Sequence, residues 1–462
     1  MKERMYLCID LKSFYASAEC VSRGLDPFHT NLVVADATRT KKTICLAITP
    51  AMKAQGIKNR CRVFQIPNTV DYIMAMPRMQ HYIDVSAQIY GIYLQYIAKE
   101  DIHPYSIDEA FMEVTEYLTL YGMTARELGA TIIQKIFETT GIRATCGIGT
   151  NLYLAKVALD ISAKHAADFI GELNEASYQK TLWNHVPLTD FWRIGPGIAK
   201  KLISFGVHTM EGICRLDEDF LYKTFGVDAE LLIDHAWGRE STTIADIKNF
   251  HPVNHSLTSG QVLSCDYSYE QGKLIVKEMA DLLCLDLVDK GLVTSSITMS
   301  LLHTLHADSG DYAVASGTAG LMVESSADRV IIPALMKLYE EILPPGHLIH
   351  RVNLSCNRVM PEEYHQYSFF EDTGELTKNH KAQQAVLDLQ KKYGKNAVLK
   401  GMNLSEGAKT MERNAQIGGH RAGYEEEGEP SCCENDLPPV ITDAAGLKSA
   451  YVNNTGKGAY YV

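Results

Sequence analysis

Two apolar runs in this chain end on acids. Tyr6-Leu7-Cys8-Ile9 runs straight into Asp10, and Tyr105-Ser106-Ile107 leads into Asp108 and Glu109 before alternation resumes over Phe111-Met112-Glu113-Val114. Residues 5 to 10 and 105 to 114 therefore read as strands. Between them the pattern lengthens to a helical period: residues 12 to 22 form one helix and 80 to 99 another, with Ile83, Ala87, Tyr90 and Leu94 along one face. Thr124 to Thr140 reads as a third helix. It leads into Ala144-Thr145-Cys146-Gly147-Ile148-Gly149, a short apolar strand ending in glycines, and then into a helix carrying Asn151, Leu152, Ala155, Lys156 and Ala158. This mixture predicts an α+β sheet with helices on one face, bringing Asp10, the 108–109 pair and the start of the Lys156 helix into one region.

Farther along, Phe191-Trp192-Arg193-Ile194-Gly195-Pro196-Gly197 opens a helix containing Lys200 and Lys201, and a second glycine turn follows at Phe225-Gly226-Val227. A hairpin of this kind offers backbone N–H groups and lysines to a phosphate, although a bare G-x-G is also an ordinary helix–helix turn. Residues 241 to 256 are polar and aperiodic and read as a linker. Beyond them the order is a strand (Ser256 to Leu263), a helix (Tyr269 to Lys290), two strands (Val293 to Thr304 and Asp311 to Gly317), a helix (Asp328 to Leu343) and a strand (His347 to Asn357). That is a βαββαβ domain. The last hundred residues hold a helix around Lys381 to Tyr393, then glycine-rich and finally acidic sequence not expected to fold alone.

At 462 residues the chain is expected to hold several domains, and 46% hydrophobic with 22% charged residues is globular composition. It has no apolar run of membrane-spanning length, and the start reads as mature cytoplasmic protein, with no membrane partner. Its eleven cysteines lack metal-ligand spacing, which fits a reducing compartment. The net charge of −12 is unevenly spread: from Gly423 to Val462 seven acids face Lys448 and Lys457, whereas residues 36 to 62 set Arg39, Lys41, Lys42, Lys53, Lys58, Arg60 and Arg62 against Asp36 alone. A basic face survives inside an acidic total, so a nucleic-acid partner is not excluded.

Adjacent carboxylates raise each other's pKa unless a cation neutralises them, and hard oxygen ligands suit Mg²⁺. Four segments, in order, resemble the Y-family of lesion-bypass DNA polymerases, nearest to the bacterial error-prone branch that includes the catalytic subunit of polymerase V. They are Ile9-Asp10-Leu11-Lys12-Ser13-Phe14-Tyr15-Ala16-Ser17, Ser106-Ile107-Asp108-Glu109-Ala110, Gly147-Ile148-Gly149-Thr150-Asn151 through Leu154-Ala155-Lys156, and the Gly195-Pro196-Gly197 hairpin. The resemblance spans residues 5 to 420 and implies a right-hand polymerase. Its palm would be residues 1–25 and 72–170, its fingers 26–71, and its thumb, with a helix-hairpin-helix, 171–240. A linker at 241–256, a βαββαβ little finger at 257–360, an extension at 361–422 and an acidic, unstructured tail at 423–462 would follow.

The same resemblance implies low-fidelity, template-directed nucleotidyl transfer for translesion synthesis, on primed template DNA with deoxynucleoside triphosphates and two Mg²⁺ ions. Asp10, Asp108 and Glu109, with the Leu11 carbonyl, would hold the metals. Phe14 and Tyr15 would close over the incoming sugar, Tyr15 as the steric gate against a 2′-hydroxyl. Lys156 and Lys53 would meet the triphosphate, although many relatives place a tyrosine and an arginine where Pro50 and Lys53 stand, and a lysine lacks the bidentate fork of arginine. Gly195, Gly197, Lys200 and Lys201 would hold DNA. Gln366-Tyr367-Ser368-Phe369-Phe370 resembles a clamp-docking peptide, with Gln366, Phe369 and Phe370 meeting a sliding clamp. The little finger looks acid-rich, which leaves Lys273, Arg351 and Arg358 to build any basic grip. A catalytically silent DNA-binding or recruitment protein on the same scaffold, and a nucleotide cyclase with a similar palm, are the alternatives at this point.

Overall fold

The computed structural model describes residues 3–38, 41–252, 255–305, 311–362 and 373–423. The chain divides into two compact units, Met1–Phe250 and His251–Ala422.

Among its described residues the first unit has eight strands: β1 (Tyr6–Leu11), β2 (Leu32–Val34), β3 (Ala47–Ile48), β4 (Ile73–Ala75), β5 (Ile102–Pro104), β6 (Glu109–Glu113), β7 (Ala144–Gly149) and β8 (Ile170–Leu173). Five make one sheet in the order β5-β6-β1-β7-β8, with β1 antiparallel to both neighbours. Leu7, Cys8 and Ile9 are fully buried, as a central strand covered on both faces requires. The glycines of β7 set the depth of the next helix, Leu152–Val157. A Cβ on Gly147 would lie 2.1 Å from the Ala155 carbonyl, and one on Gly149 would lie 2.2 Å from the Ala155 nitrogen. No other residue lets that helix, and hence Lys156, come so close to the sheet.

Three expectations need correction. Residues 105–108 form a turn, because the Tyr105 and Ser106 N–H groups both donate to the Glu109 carbonyl, so the strand starts at Glu109 itself. The helix expected over 80–99 spans Met79–Tyr93, and its buried stripe is Tyr82, Ile83, Ser86, Ile89 and Ile92, leaving Leu94 exposed. The supposed linker contains a helix, Ile244–Asn249, opened by a reciprocal Thr243–Asp246 capping box.

A three-stranded sheet, β3-β2-β4, and the short helix Pro50–Ala54 build a separate small core of Val33, Cys45, Ile48, Met52, Cys61 and Val63. Helices Pro196–Ser204, Met210–Cys214, Glu218–Phe225 and Asp228–Trp237 pack around Phe191, Leu202, Met210, Leu221 and Leu232.

The second unit has the expected βαββαβ order. Strands β9 (His255–Tyr267), β10 (Leu292–Thr304), β11 (Tyr312–Ser325) and β12 (Ile349–Pro361) form an antiparallel sheet, β11-β10-β12-β9. Helices Tyr269–Asp289 and Asp328–Ile342 bury one face on Ile297, Met299, Leu301, Val352 and Leu354. By register the other face carries Thr258, Ser355, Thr298 and Thr318 in one row and Gly260, Asn353, Ser300 and Ser316 in the next.

The segment after helix Thr373–Tyr393 is ordered, because it packs onto this unit. Buried Glu278 accepts from Asn403 Nδ2 (3.0 Å), the Lys409 N–H (2.7 Å) and the Thr410 N–H (3.2 Å), while Lys400 pairs with Asp281 at 2.6 Å and with Asp328. The acidic tail from residue 424 and the peptide 366–370 lie outside the described residues. Among the described residues no helix is long and apolar enough to cross a membrane.

Candidate active site

The register of β1 on β6 pairs Asp10 directly with Glu109, and the Leu11 N–H donates to the Asp108 carbonyl at 2.9 Å. The turn before β6 is pinned by Ser86 Oγ donating to the Ile107 carbonyl (2.6 Å), and Ser106 Oγ donates to Asp108 Oδ1 (2.7 Å). Two short stretches distant in sequence thus present three carboxylates at one end of the sheet.

Cations hold these acids. Lys156 Nζ lies 2.7 Å from Glu109 and 3.0 Å from Asp160, and Lys164 Nζ lies 2.8 Å from Asp160 and 3.6 Å from Asp10. Cys8 Sγ donates to Glu109 at 3.2 Å, so this thiol is more than apolar filling. Burial raises the Asp10 pKa to about 7, with Lys164 opposing and Asp108 and Glu109 adding to the rise. Burial likewise raises Glu109 against the pull of Lys156. It works against the Lys156 ammonium, but Glu109, Cys8 and Asp160 outweigh it and raise that pKa. Burial depresses Lys53, which lies within the fields of Asp10, Asp108, Lys164 and Lys12. Among the described residues no three acid, His or Cys side chains are gathered as a finished metal cage. Glu109 is turned to Lys156 and Cys8, and ammonium groups do the neutralising. The donor set still fits a hard divalent cation: three converging carboxylate residues, two with raised pKa values, hold proton affinity that such an ion would replace.

Sequence reasoning missed Asp160 and Lys164. The spacing Lys156-Asp160-Lys164 could have found them, since four-residue steps stack on one helical face. The face is kept through a π-helical turn at Ala158–Ser162, a feature frequent at functional sites. Lys164 is the more open of the two lysines, with 41% side-chain exposure against 9% for Lys156. Lys156, expected as a triphosphate contact, has its ammonium on Glu109 and Asp160.

The aromatic pair divides. Phe14, expected to close over the sugar, has its ring in the core at 2% exposure. Tyr15 keeps a partly open ring, and burial and the charge of Asp108 raise its pKa to about 12. Leu11 closes β1 opposite Ala144. At the hairpin, Gly195 and Gly197 have nothing within 4 Å of a would-be Cβ, so the start of helix Pro196–Ser204 is open to approach. Lys200 is exposed, whereas Lys201 donates to the Thr224 carbonyl at 2.5 Å and lies over the Phe225 ring, closing a helix end.

A five-stranded acid-bearing sheet, a small basic module, a helical hairpin domain and a separate βαββαβ unit define the class of right-hand polymerases. A solved structure of the Y-family DNA polymerase chimera Dbh-Dpo4-Dbh shares this fold, with a TM-score of 0.61 at 18% identity over 77% of this chain and 99% of that one. Residues 9–160 match the model of the impB/mucB/samB family. A UV-damage repair protein by name, UvrX of Bacillus subtilis (strain 168), is 26% identical over 90% of this chain and 97% of its own length. DNA polymerase IV 2 of the same organism is 25% identical over 91% and 99%. Over these spans the chain is similar to Y-family DNA polymerases in sequence and shares their fold.

Proposed function

We propose that the protein is a DNA-directed DNA polymerase that extends primed template DNA with deoxynucleoside triphosphates, tolerates damaged templates in translesion synthesis and repair, and acts in the cytoplasm. The observation that carries this reading is the cross-strand pairing of Asp10 with Glu109, beside Asp108, at a sheet end ringed by Lys164, Lys53 and Lys12. Asp10, Asp108 and Glu109, with the Leu11 carbonyl, would hold two Mg²⁺ ions. Bound there, the metals supply activation of the primer 3′-hydroxyl and neutralisation of the leaving pyrophosphate.

The chain's own residues do the rest. Lys164 and Lys53 offer ammonium groups to the triphosphate, and Lys164 gives up Asp10 as it does so. Lys156 stays behind Glu109, holding that carboxylate charged and oriented. Tyr15 fills the space a 2′-hydroxyl would need. The hairpin glycines and Lys200 take a duplex phosphate through free N–H groups and charge, and the hydroxyl face of the second unit takes duplex backbone. Gln366, Phe369 and Phe370 dock on a sliding clamp.

Purified protein with Mg²⁺ and nucleotides should extend a primer on undamaged DNA and across an abasic site. Extension that is absent, or equal in Asp108→Ala, would sink the reading and leave a silent binding protein on the same scaffold.

A further inference from the structure

Behind Tyr15 lies a charged group for which the proposed chemistry has no use. Glu19, one helical turn after Tyr15 on helix Phe14–Val21, has a fully buried side chain. Arg78 grips it at both oxygens, Nε to Oε1 at 2.9 Å and Nη2 to Oε2 at 3.0 Å. Arg23 pairs with the same carboxylate and also donates to the Glu19 carbonyl at 2.8 Å. The fourth donor is the Tyr82 hydroxyl, 2.7 Å from Oε1. Burial opposes ionisation of Glu19, but these partners outweigh it and lower its pKa.

The cluster leads back to the site through one ring. Tyr82 is fully buried and stacks on Tyr15 with centroids 4.5 Å apart and planes 18° from parallel. Phe14 meets Tyr82 edge-on at 6.4 Å, a second ring contact on Tyr82. A buried carboxylate with four donor groups is a poor choice for stability alone, because apolar side chains of equal volume would often serve as well. It is a good choice for fixing direction. A hydroxyl bound to a charged acceptor that is itself clamped twice has one orientation, and the ring carrying it has one plane.

We infer that Glu19, held by Arg78 and Arg23, is a positioning residue that sets the plane of Tyr15 through Tyr82 and thereby sharpens discrimination between deoxyribose and ribose in the incoming nucleotide. This rests on the reading of Tyr15 as the sugar-facing ring. Tyr82 is fully buried against Tyr15, so its effect is expected in the ratio of kcat/KM for deoxyribonucleoside against ribonucleoside triphosphate, and hardly in deoxynucleotide insertion itself.

The test compares Tyr82→Phe, Tyr82→Leu, Glu19→Gln and Tyr15→Ala in single-nucleotide insertion by the full chain. Tyr82→Phe keeps the stack and loses only the bond to Glu19; it should lower discrimination by roughly twofold to threefold with deoxynucleotide kcat/KM nearly unchanged. Tyr82→Leu removes the stack and should lower it by roughly threefold to tenfold, the scale of an aromatic pair. Tyr82→Phe with wild-type discrimination would overturn the role of Glu19, as would equal losses for both sugars. If Tyr15→Ala leaves discrimination intact, it is the assignment of Tyr15 that fails. Should Glu19→Gln not fold, Tyr82→Phe decides alone.

Discussion

Glu109 in the first unit and Glu278 in the second are satisfied in opposite ways. Glu109 in the first unit meets Lys156 at 2.7 Å and a thiol, beside two more carboxylate residues with Lys164 and Lys53 near by. Glu278 in the second accepts from two backbone N–H groups and an asparagine amide. The contrast extends to the surfaces they support. The acid site concentrates charge on few residues, while the open sheet face of the second unit runs Ser355 to Asn357 to Thr298 to Thr318 through 2.8 Å hydrogen bonds among neutral groups. Concentrated charge makes single residues indispensable. Distributed neutral contacts make each one nearly dispensable, and the predictions follow that ordering.

The largest effect is expected at the acid site. Asp108→Ala or Asp10→Ala should cut primer extension by about a thousandfold or more, because on the proposed reading each is a shared metal ligand whose loss removes several kcal/mol of charge stabilisation. Binding of duplex should change little, as measured by fluorescence anisotropy. Comparable losses of binding and extension would erase the distinction between the two regions.

The next effect is on stability and has a defined sign. Asp10 titrates in the folded chain at about 7, against 3.8 for the ordinary side chain. The folded state therefore holds that proton more tightly, so the contribution is fully present below pH 4 and is lost as pH rises toward 7. Without metal, the wild type should be less stable at pH 8 than its Asp10→Asn variant, by on the order of 3 kcal/mol. Added Mg²⁺ should raise the wild-type melting temperature at pH 8 and hardly move that of Asp10→Asn. Glu109, also raised by burial, contributes with the same sign. Equal pH profiles for the two proteins would remove buried charge as the mark of this site.

What the sequence disclosed follows the same division. Asp10 and the 108–109 pair were legible because acids at the ends of apolar runs violate the pattern around them, and the βαββαβ order was legible because its periods are long. Lys164 escaped notice because exposed lysines are common: its step from Asp160 is local, but Asp10 becomes its neighbour only once β7 and the helix after it are packed through Gly147 and Gly149. The turn at 105–108 was hidden for a related reason: its backbone is fixed by bonds to Glu109 and Ser86, whereas its side chains alternate like those of a strand. Glu19 looked like any helix glutamate until Arg78, far along the chain, closed on it. The ordered segment 394–422 also escaped, since its contacts are with Glu278 and Asp281 of a distant helix.

In the second unit the comparison sharpens at Glu278. Glu278→Ala leaves two backbone N–H groups and one Asn403 amide hydrogen without an acceptor, the other still bound to Thr410, and should destabilise this unit by about 2–4 kcal/mol. A lower-melting transition for the second unit, with extension intact below it, is the outcome expected from calorimetry and activity together. Glu278→Gln keeps one acceptor oxygen and should fall in between. A single unchanged transition would mean that the strap of residues 400–413 adds nothing to the fold of this unit.

The smallest effect concerns the neutral face and is read in salt dependence. Each phosphate neutralised by a cation adds close to one unit to the slope of log K against log salt, whereas a hydroxyl donor releases no counterion. Thr298→Val with Ser355→Ala should therefore weaken duplex binding by less than about twofold and leave the slope unchanged. Arg351→Ala, which removes a cation paired into the same sheet, should lower the slope by about one. Lys200→Ala should do the same through the hairpin. A slope that falls in the hydroxyl double variant as well would mean that its side chains hold cations in place on the duplex, and the two regions would then differ in degree of charge and not in kind.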